Sequence, residues 1–119
     1  MSRKNIIYDF KPIIAGAMTS VSINGTPTTV AQHDTATYKI KWSGGQATNG
    51  NLSIESSDDL IIWSPLDFGA TINTNGASGE HRLIINEIGF KYLRPVYTRT
   101  NAGATGTLEA SLFASNKGG

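Results

Sequence analysis

The stretch Thr35-Ala36-Thr37-Tyr38-Lys39-Ile40-Lys41-Trp42-Ser43 decides the fold class. Every second residue from Ala36 to Trp42 is apolar, and the residues between them are threonine or lysine. A period of two places these apolar side chains on one face of a strand whose other face meets water. The sequence therefore predicts a half-buried strand over residues 35–43, with Trp42 as a core anchor.

The same pattern extends along the chain in both directions. Residues 51–57 continue the alternation, with Leu52 and Ile54 facing inward, and the glycine-rich segment before them predicts a hairpin from the first strand. Pro95 has no backbone N–H, so its strand is expected at a sheet edge or with a bulge. Further strands are predicted at 60–66, 71–74, 81–85, 91–98 and 107–113. This succession predicts an all-β, antiparallel β-sandwich of the jelly-roll type.

The chain has 119 residues, which is enough for one domain. We expect an extended N-terminal arm or first strand over residues 1–12, a single β-sandwich over 13–116 and a tail over 117–119. The arm combines basic and apolar residues, and such a segment can add a strand to its own sheet or to a neighbour's. The residues predicted to contact a partner are Arg3, Lys4, Ile6, Ile7, Tyr8 and Phe10.

Composition excludes several classes of protein. The 10 basic residues nearly balance the 9 acidic ones, and a net charge of +1 predicts no nucleic-acid partner. No run approaches the roughly 18 apolar residues of a membrane-spanning helix, so no membrane contact is expected. The absence of cysteine rules out disulfides and thiolate metal sites. The N-terminus does not resemble a secretory leader, because charged residues interrupt its apolar run.

Residues for chemistry are few. His33 and His81 are the two histidines, and the chain has neither a Gly-x-Ser-x-Gly motif nor a pair of metal-ligand spacing. We therefore expect no enzymatic activity and no cofactor. Asp58 and Asp59 are adjacent in a predicted turn, where they form either a solvated turn or a calcium site. Trp63 follows two isoleucines and is expected, like Trp42, in the core.

Two segments resemble a known family. Ser56-Ser57-Asp58-Asp59-Leu60-Ile61-Ile62-Trp63-Ser64-Pro65-Leu66 resembles the turn and strand S-x-D-x-x-x-W-x-x-L of discoidin-like, galactose-binding-type jelly rolls. Gly89-Phe90-Lys91-Tyr92-Leu93-Arg94-Pro95-Val96-Tyr97-Thr98 is similar to a later strand of those domains. With residues 40–45 and 106–110, the order also resembles small virion proteins of tailed bacteriophages. The resemblance implies a core position for Trp63 and a structural one for Arg94.

These observations favour a non-enzymatic structural protein of a bacteriophage virion. Such a protein decorates the capsid, or belongs to a fibre or the tail, and it acts by contact with other virion proteins or with copies of itself as a homo-oligomer. The alternative is a carbohydrate-binding module, such as a receptor-binding fibre tip that recognises a surface glycan. Aromatic side chains exposed together on one surface would favour this alternative.

Overall fold

The computed structural model describes residues 8–31, 33–86 and 88–115. These residues form strands and turns, and none of the three ranges contains a helix capable of crossing a membrane. The strands are β1 (Tyr8–Ala17), β2 (Ser22–Asn24), β3 (Thr28–Thr29), β4 (Thr35–Ser43), β5 (Gly50–Ser57), β6 (Ser64–Pro65), β7 (Ile72–Asn73), β8 (Ser78–Ile85), β9 (Tyr92–Arg99) and β10 (Thr107–Ser115).

Two antiparallel sheets pack against each other. Sheet A has the order β1-β10-β4-β8. Sheet B has the order β2-β9-β5-β6, with β3 also paired to β9 and β7 to β5. The predicted all-β, antiparallel β-sandwich is therefore confirmed.

The core lies between the sheets and is built by the alternation seen in the sequence. In β4, Tyr38 and Ile40 are fully buried and Trp42 nearly so, as predicted. Leu112 lies opposite Tyr38 on β10, and Ile54 on β5 contributes from sheet B. Burial of one such aliphatic side chain contributes about 1.5–3 kcal/mol, so this strip of side chains holds the two sheets together.

Two tyrosines cross the core. The Tyr97 hydroxyl donates a hydrogen bond to the carbonyl of Met18 at 2.9 Å. The buried Tyr38 hydroxyl has no hydrogen-bond partner within the described ranges. Burial raises the pKa of both hydroxyls, although the nearby charge of Arg99 opposes this effect at Tyr97. Both side chains consequently remain neutral at ordinary pH.

The hairpin predicted between the strands at 35–43 and 51–57 is wrong. β4 lies in sheet A and β5 in sheet B, so residues 44–49 cross from one sheet to the other. The strand predicted over 60–66 is also wrong in most of its length, because only Ser64–Pro65 pair as β6. Alternation identified which residues are buried, but it carries no information on which strands pair.

Pro95 lies in an inner strand, which contradicts the predicted edge position. Its strand β9 has β5 on one side and β2 and β3 on the other. The Pro95 carbonyl accepts a hydrogen bond from the Gly25 amide at 2.7 Å. Since the nitrogen and oxygen of one strand residue point to the same side, the missing N–H faces the gap between β2 and β3. The proline therefore removes no bond from the β5–β9 ladder.

The loops gather at two opposite ends of the sandwich. The segments 44–49, 74–77 and 100–106 meet at one end, which we call the Asn49 end, because Ser43 is paired with Ser78 and with Thr107. The segments 58–63 and 88–91 lie at the other end, which we call the Ile61 end. β1 runs the full length between them, from Tyr8 beside Ala114 to Ala17 beside Thr107.

A buried asparagine organises the Asn49 end. The Asn49 side-chain oxygen accepts the amides of Gln46 at 3.1 Å and Thr105 at 3.3 Å, while its Nδ2 donates to the carbonyl of Thr74 at 3.2 Å. The Asn49 amide donates to Oδ1 of Asn75 at 2.9 Å. One side chain thus joins three loops, and its polar atoms are satisfied although the residue is fully buried.

Candidate interaction surface

Several large apolar side chains lie on the outside of the sandwich. Leu60, Ile61 and Ile62 are consecutive and are 48%, 80% and 70% exposed. Scattered exposed apolar residues are normal on a protein surface, whereas a contiguous group marks an interaction site. The other large exposed hydrophobic residues within the described ranges are Ile14, Val21, Ile84 and Phe113.

Hydrogen bonds hold this triplet in one conformation. The buried Ser57 hydroxyl oxygen accepts the Leu60 amide at 2.9 Å, and the hydroxyl donates to Asp59 Oδ1 at 3.0 Å. That carboxylate oxygen also accepts the amides of Ile61 and Ile62, both at 2.9 Å. Leu60 has a φ of 65°, which is uncommon for a branched side chain. Residues 57–63, which we call the Ile61 loop, therefore present their aliphatic side chains from a preorganised turn.

The two aspartates have structural roles in this loop. Hydrogen bonds from Ile62, Ile61 and Ser57 hold the pKa of the Asp59 carboxyl below its usual range. The Asp58 carboxylate accepts the Lys91 amide at 3.1 Å, which ties the loop to the segment before β9. In the part of the chain that the structure describes, no three His, Cys, Asp or Glu side chains are grouped to hold a metal ion. Asp59 is thus the acceptor within the turn, and Asp58 connects the turn to the segment before β9.

Trp63 anchors the C-terminal side of the loop, but outside the core. The residue is half-buried, so its predicted core position is wrong. The Arg94 guanidinium lies 4.2 Å from the centre of the Trp63 ring and forms an ion pair with Glu55 at 2.7 Å. Such a stacked, paired arginine fixes the ring by a cation–π contact and a charge-assisted hydrogen bond.

A second apolar patch lies on the outer face of sheet A. Ile84 on β8 and Phe113 on β10 both pair with Thr37 on β4, which lies between them. They are 54% and 39% exposed. In the adjacent row, Lys39 lies between Arg82 and a serine of β10, so positive charge borders the patch. We call these six residues of β4, β8 and β10 the Ile84 face; they are Thr37, Lys39, Arg82, Ile84, Ser111 and Phe113.

The predicted partner-contact residues divide into two groups. Tyr8 and Phe10 belong to β1 and pair with Ala114 and Leu112 of the protein's own sheet A, and Phe10 is half-buried. The first strand thus begins inside residues 1–12, the segment predicted as an arm or first strand. The remaining candidates lie outside the described residues; they are Arg3, Lys4, Ile6 and Ile7.

The histidines lie apart from each other. His81 is on β8, with Nε2 2.7 Å from the carbonyl oxygen of Asn73 and its ring 5.5 Å from that of Trp42. His33 is half-buried in the segment before β4. The structure therefore does not bring them together into one site, and His81 serves to connect β8 with β7.

The fold defines a class of protein, a two-sheet antiparallel β-sandwich, and particular solved structures share it. No family model matches the chain, and no curated protein matches it significantly in sequence. The SPBc2 prophage-derived protein YomS superposes with a TM-score of 0.68 at 14% identity, over 98% of each chain. A chain of infectious bursal disease virus strain Gx gives 0.62 at 10% identity, over 99% of this chain and 33% of the viral one.

A third similar structure comes from Bacillus endospore appendages, described as disulfide-linked pili. It gives a TM-score of 0.52 at 12% identity, over 96% of this chain and 91% of the other. At these identities the likeness shows a common fold. The likeness to YomS shows that the fold occurs in a phage-derived protein. It does not specifically support the predicted resemblance to the discoidin-like family.

Two features of the surface were missed by sequence reasoning. The run Leu60-Ile61-Ile62-Trp63 was assigned to a strand, whereas it forms an exposed turn. The signal was present, because a serine and an aspartate two residues apart precede the run and both residue types capture nearby amides. The Ile84 face was hidden in a different way, since its members come from three strands whose pairing the alternation does not reveal.

Proposed function

We propose that the protein is a non-enzymatic structural component of a bacteriophage virion, which acts by protein–protein contact and by forming oligomers. The observation that carries this proposal is the Ile61 loop. A hydrogen-bonded turn holds its three aliphatic side chains exposed to water. Covering these side chains with another surface would lower the free energy and so stabilise a complex. Because the turn is already ordered, little conformational entropy is lost on binding.

The fold is consistent with this proposal. Structures with this fold include a prophage-derived protein, part of a chain from a virus and a protein of disulfide-linked pili. Strand order further supports the jelly-roll type. With β2 and β3 counted as one interrupted strand, and β6 and β7 as another, the eight strands form two four-stranded sheets. Every connection crosses between the sheets except the one from β5 to β6, as in a double Greek key.

The chemistry of the exposed side chains favours a protein partner over a glycan. Of the seven large hydrophobic residues exposed in the described part of the chain, six are aliphatic and only Phe113 is aromatic. Sugar-binding surfaces depend on exposed aromatic rings, and Arg94 already covers one face of the half-buried Trp63. We therefore place the glycan-binding alternative second.

Sedimentation velocity of the full chain over a wide concentration range tests the proposal. We expect association that is weakened by Ile61→Asp and retained by the matched surface variant Val21→Asp at the Asn49 end. A binding assay with intact phage particles is the second measurement. A chain that remains monomeric and binds no particle would contradict the proposed function.

The N-terminal segment has its own test. Because Tyr8–Ala17 form β1, deletion of residues 1–12 would damage sheet A, whereas deletion of residues 1–7 leaves the strand intact. We expect the shorter deletion to reduce assembly without lowering the free energy of unfolding. Unchanged assembly would remove Arg3, Lys4, Ile6 and Ile7 from the contact.

A further inference from the structure

We propose that the partner of the Ile61 loop is a second copy of this chain, and that the loop docks on the Ile84 face of that copy. The inference rests on the proposed function, because it names the partner of the same loop. It follows from apolar and charge complementarity between two surfaces that both lie on this chain and both remain uncovered within the described ranges.

The Ile84 face has the size and character that the loop requires. Ile84 and Phe113 flank the small Thr37 across three neighbouring strands. Adjacent strands are about 4.8 Å apart, so the two apolar side chains border a shallow saddle about 10 Å wide. A protruding aliphatic side chain such as that of Ile61 fits between them.

The charges beside the two surfaces favour contact between the Ile61 loop and the Ile84 face. The loop carries the carboxylates of Asp58 and Asp59 beside its apolar triplet, and both residues are exposed. On the Ile84 face, Arg82 is exposed, lies on the same side of β8 as Ile84, and has no ion-pair partner among the described residues. Lys39 is beside it, although Glu80 lies 3.9 Å from its Nζ. Asp9 of β1 is in register with Phe113 at the other side of the face, so the acids of the loop are matched on the Ile84 side, where Arg82 lies.

The same charges disfavour the simplest alternative. If two Ile61 loops met each other across a two-fold axis, they would bring their four aspartate carboxylates close together. Like charges placed together at an interface suppress association. Docking on the Ile84 face replaces this repulsion with attraction to Arg82.

The position of the two surfaces allows a closed dimer. The Ile61 loop lies at the Ile61 end, and Ile84 is the penultimate residue of β8 at that same end. Two copies related by a two-fold axis can therefore each insert a loop into the other's face, which doubles the buried area. A single loop contact would be small compared with the ~1,200–2,000 Å² of a standard interface, so this doubling matters.

Disulfide mapping tests the inference, because the chain contains no cysteine. The variants Ile61→Cys and Ile84→Cys are mixed and oxidised, and the linked peptides are identified by mass spectrometry. The matched control replaces Ile84→Cys with Val21→Cys, which is similarly exposed but lies at the Asn49 end. Sedimentation of the chain without added cysteine is measured in parallel.

We expect the link between positions 61 and 84 to exceed its share under random pairing, while the control mixture stays at the random share. We also expect Ile61→Asp and Ile84→Asp each to weaken self-association by about tenfold or more. Predominant 61–61 links would overturn the inference in favour of loop–loop contact. Random linkage in a chain that still associates would overturn the inference and leave the proposed function standing, whereas a chain that neither associates nor binds particles would remove both.

Discussion

At the Asn49 end one buried asparagine joins three loops by hydrogen bonds, whereas at the Ile61 end a serine and an aspartate fold a single loop onto itself. Both ends are ordered by side chains that capture backbone amides. The two ends differ in the side chains that remain exposed to water. The Asn49 network encloses its polar centre, while the Ile61 loop uses its polar groups locally and turns its aliphatic side chains outward. One end therefore contributes to stability, and the other is available for contact.

The largest expected effect separates the two ends by stability. Asn49→Ala leaves the amides of Gln46 and Thr105 and the carbonyl of Thr74 without partners, and we expect a loss of about 3 kcal/mol in the free energy of unfolding. Ile61→Asp should change it by less than about 0.5 kcal/mol. Chemical denaturation measures both. Equal losses at the two ends would break the comparison.

A pair of glycines gives the next effect. A Cβ at Gly45 would meet the Asn49 side chain and lie 2.5 Å from the carbonyl oxygen of Gly76, whereas a Cβ at Gly89 would meet nothing within 4 Å. We expect Gly45→Ala to cost about 2 kcal/mol through overpacking. Gly89→Ala, at the Ile61 end, serves as the matched control and should be close to neutral. If Gly45→Ala left the free energy of unfolding unchanged, the loops around Asn49 would have to be able to move apart to make room for the added Cβ.

Arg94 tests how firmly the Ile61 loop is anchored. Arg94→Ala removes the ion pair to Glu55 and the contact with the Trp63 ring, and we expect a loss of about 1–2 kcal/mol in the free energy of unfolding. Amide hydrogen exchange in the loop should also rise. Lys41→Ala, which removes an exposed cation of β4 outside the Ile84 face, should change neither quantity. Unchanged exchange in Arg94→Ala would mean that the turn holds the loop without its anchor.

The smallest effect is a pH dependence of the loop itself. The pKa of Asp59 is lowered by hydrogen bonds from Ile62, Ile61 and Ser57. The contribution of this carboxylate is therefore present above the ordinary pKa of aspartic acid, and it is lost as the pH falls through the lowered value. NMR should show the amide signals of Ile61 and Ile62 titrating with a midpoint below the ordinary one. In Asp59→Asn these signals should not titrate, and a midpoint at or above the ordinary value would contradict the hydrogen-bond assignment.

The sequence predicted those parts of the fold that depend on local alternation. β4 occupies the predicted residues 35–43, and the strands predicted at 81–85, 91–98 and 107–113 are present as β8, β9 and β10. Each was visible because one face of the strand is buried and the other meets water. Pairing was not visible, so the expected hairpin was wrong, and β4 and β5 lie in different sheets.

The candidate site was harder to predict because two local signals compete in it. Leu60, Ile61 and Ile62 have the composition of a buried strand, but the carboxylate of Asp59 binds the amides that such a strand would need for pairing. The role of Asn49 was not visible in the sequence, since it depends on loops that are distant in sequence. The turn could thus have been recognised in the sequence, whereas the exposed apolar surface that it forms could be identified only from the structure.

The position of β10 has a consequence for how the protein is made. This strand leaves the ribosome after every other described strand, and yet it lies inside sheet A between β1 and β4. β1 consequently has no partner until all the strands between it and β10 have been made, and sheet A closes only when the two ends of the described chain meet. Such long-range pairing is slow and leaves apolar strand faces uncovered in the interval. We therefore expect incomplete chains of this protein to be prone to pairing with one another until β10 has been made.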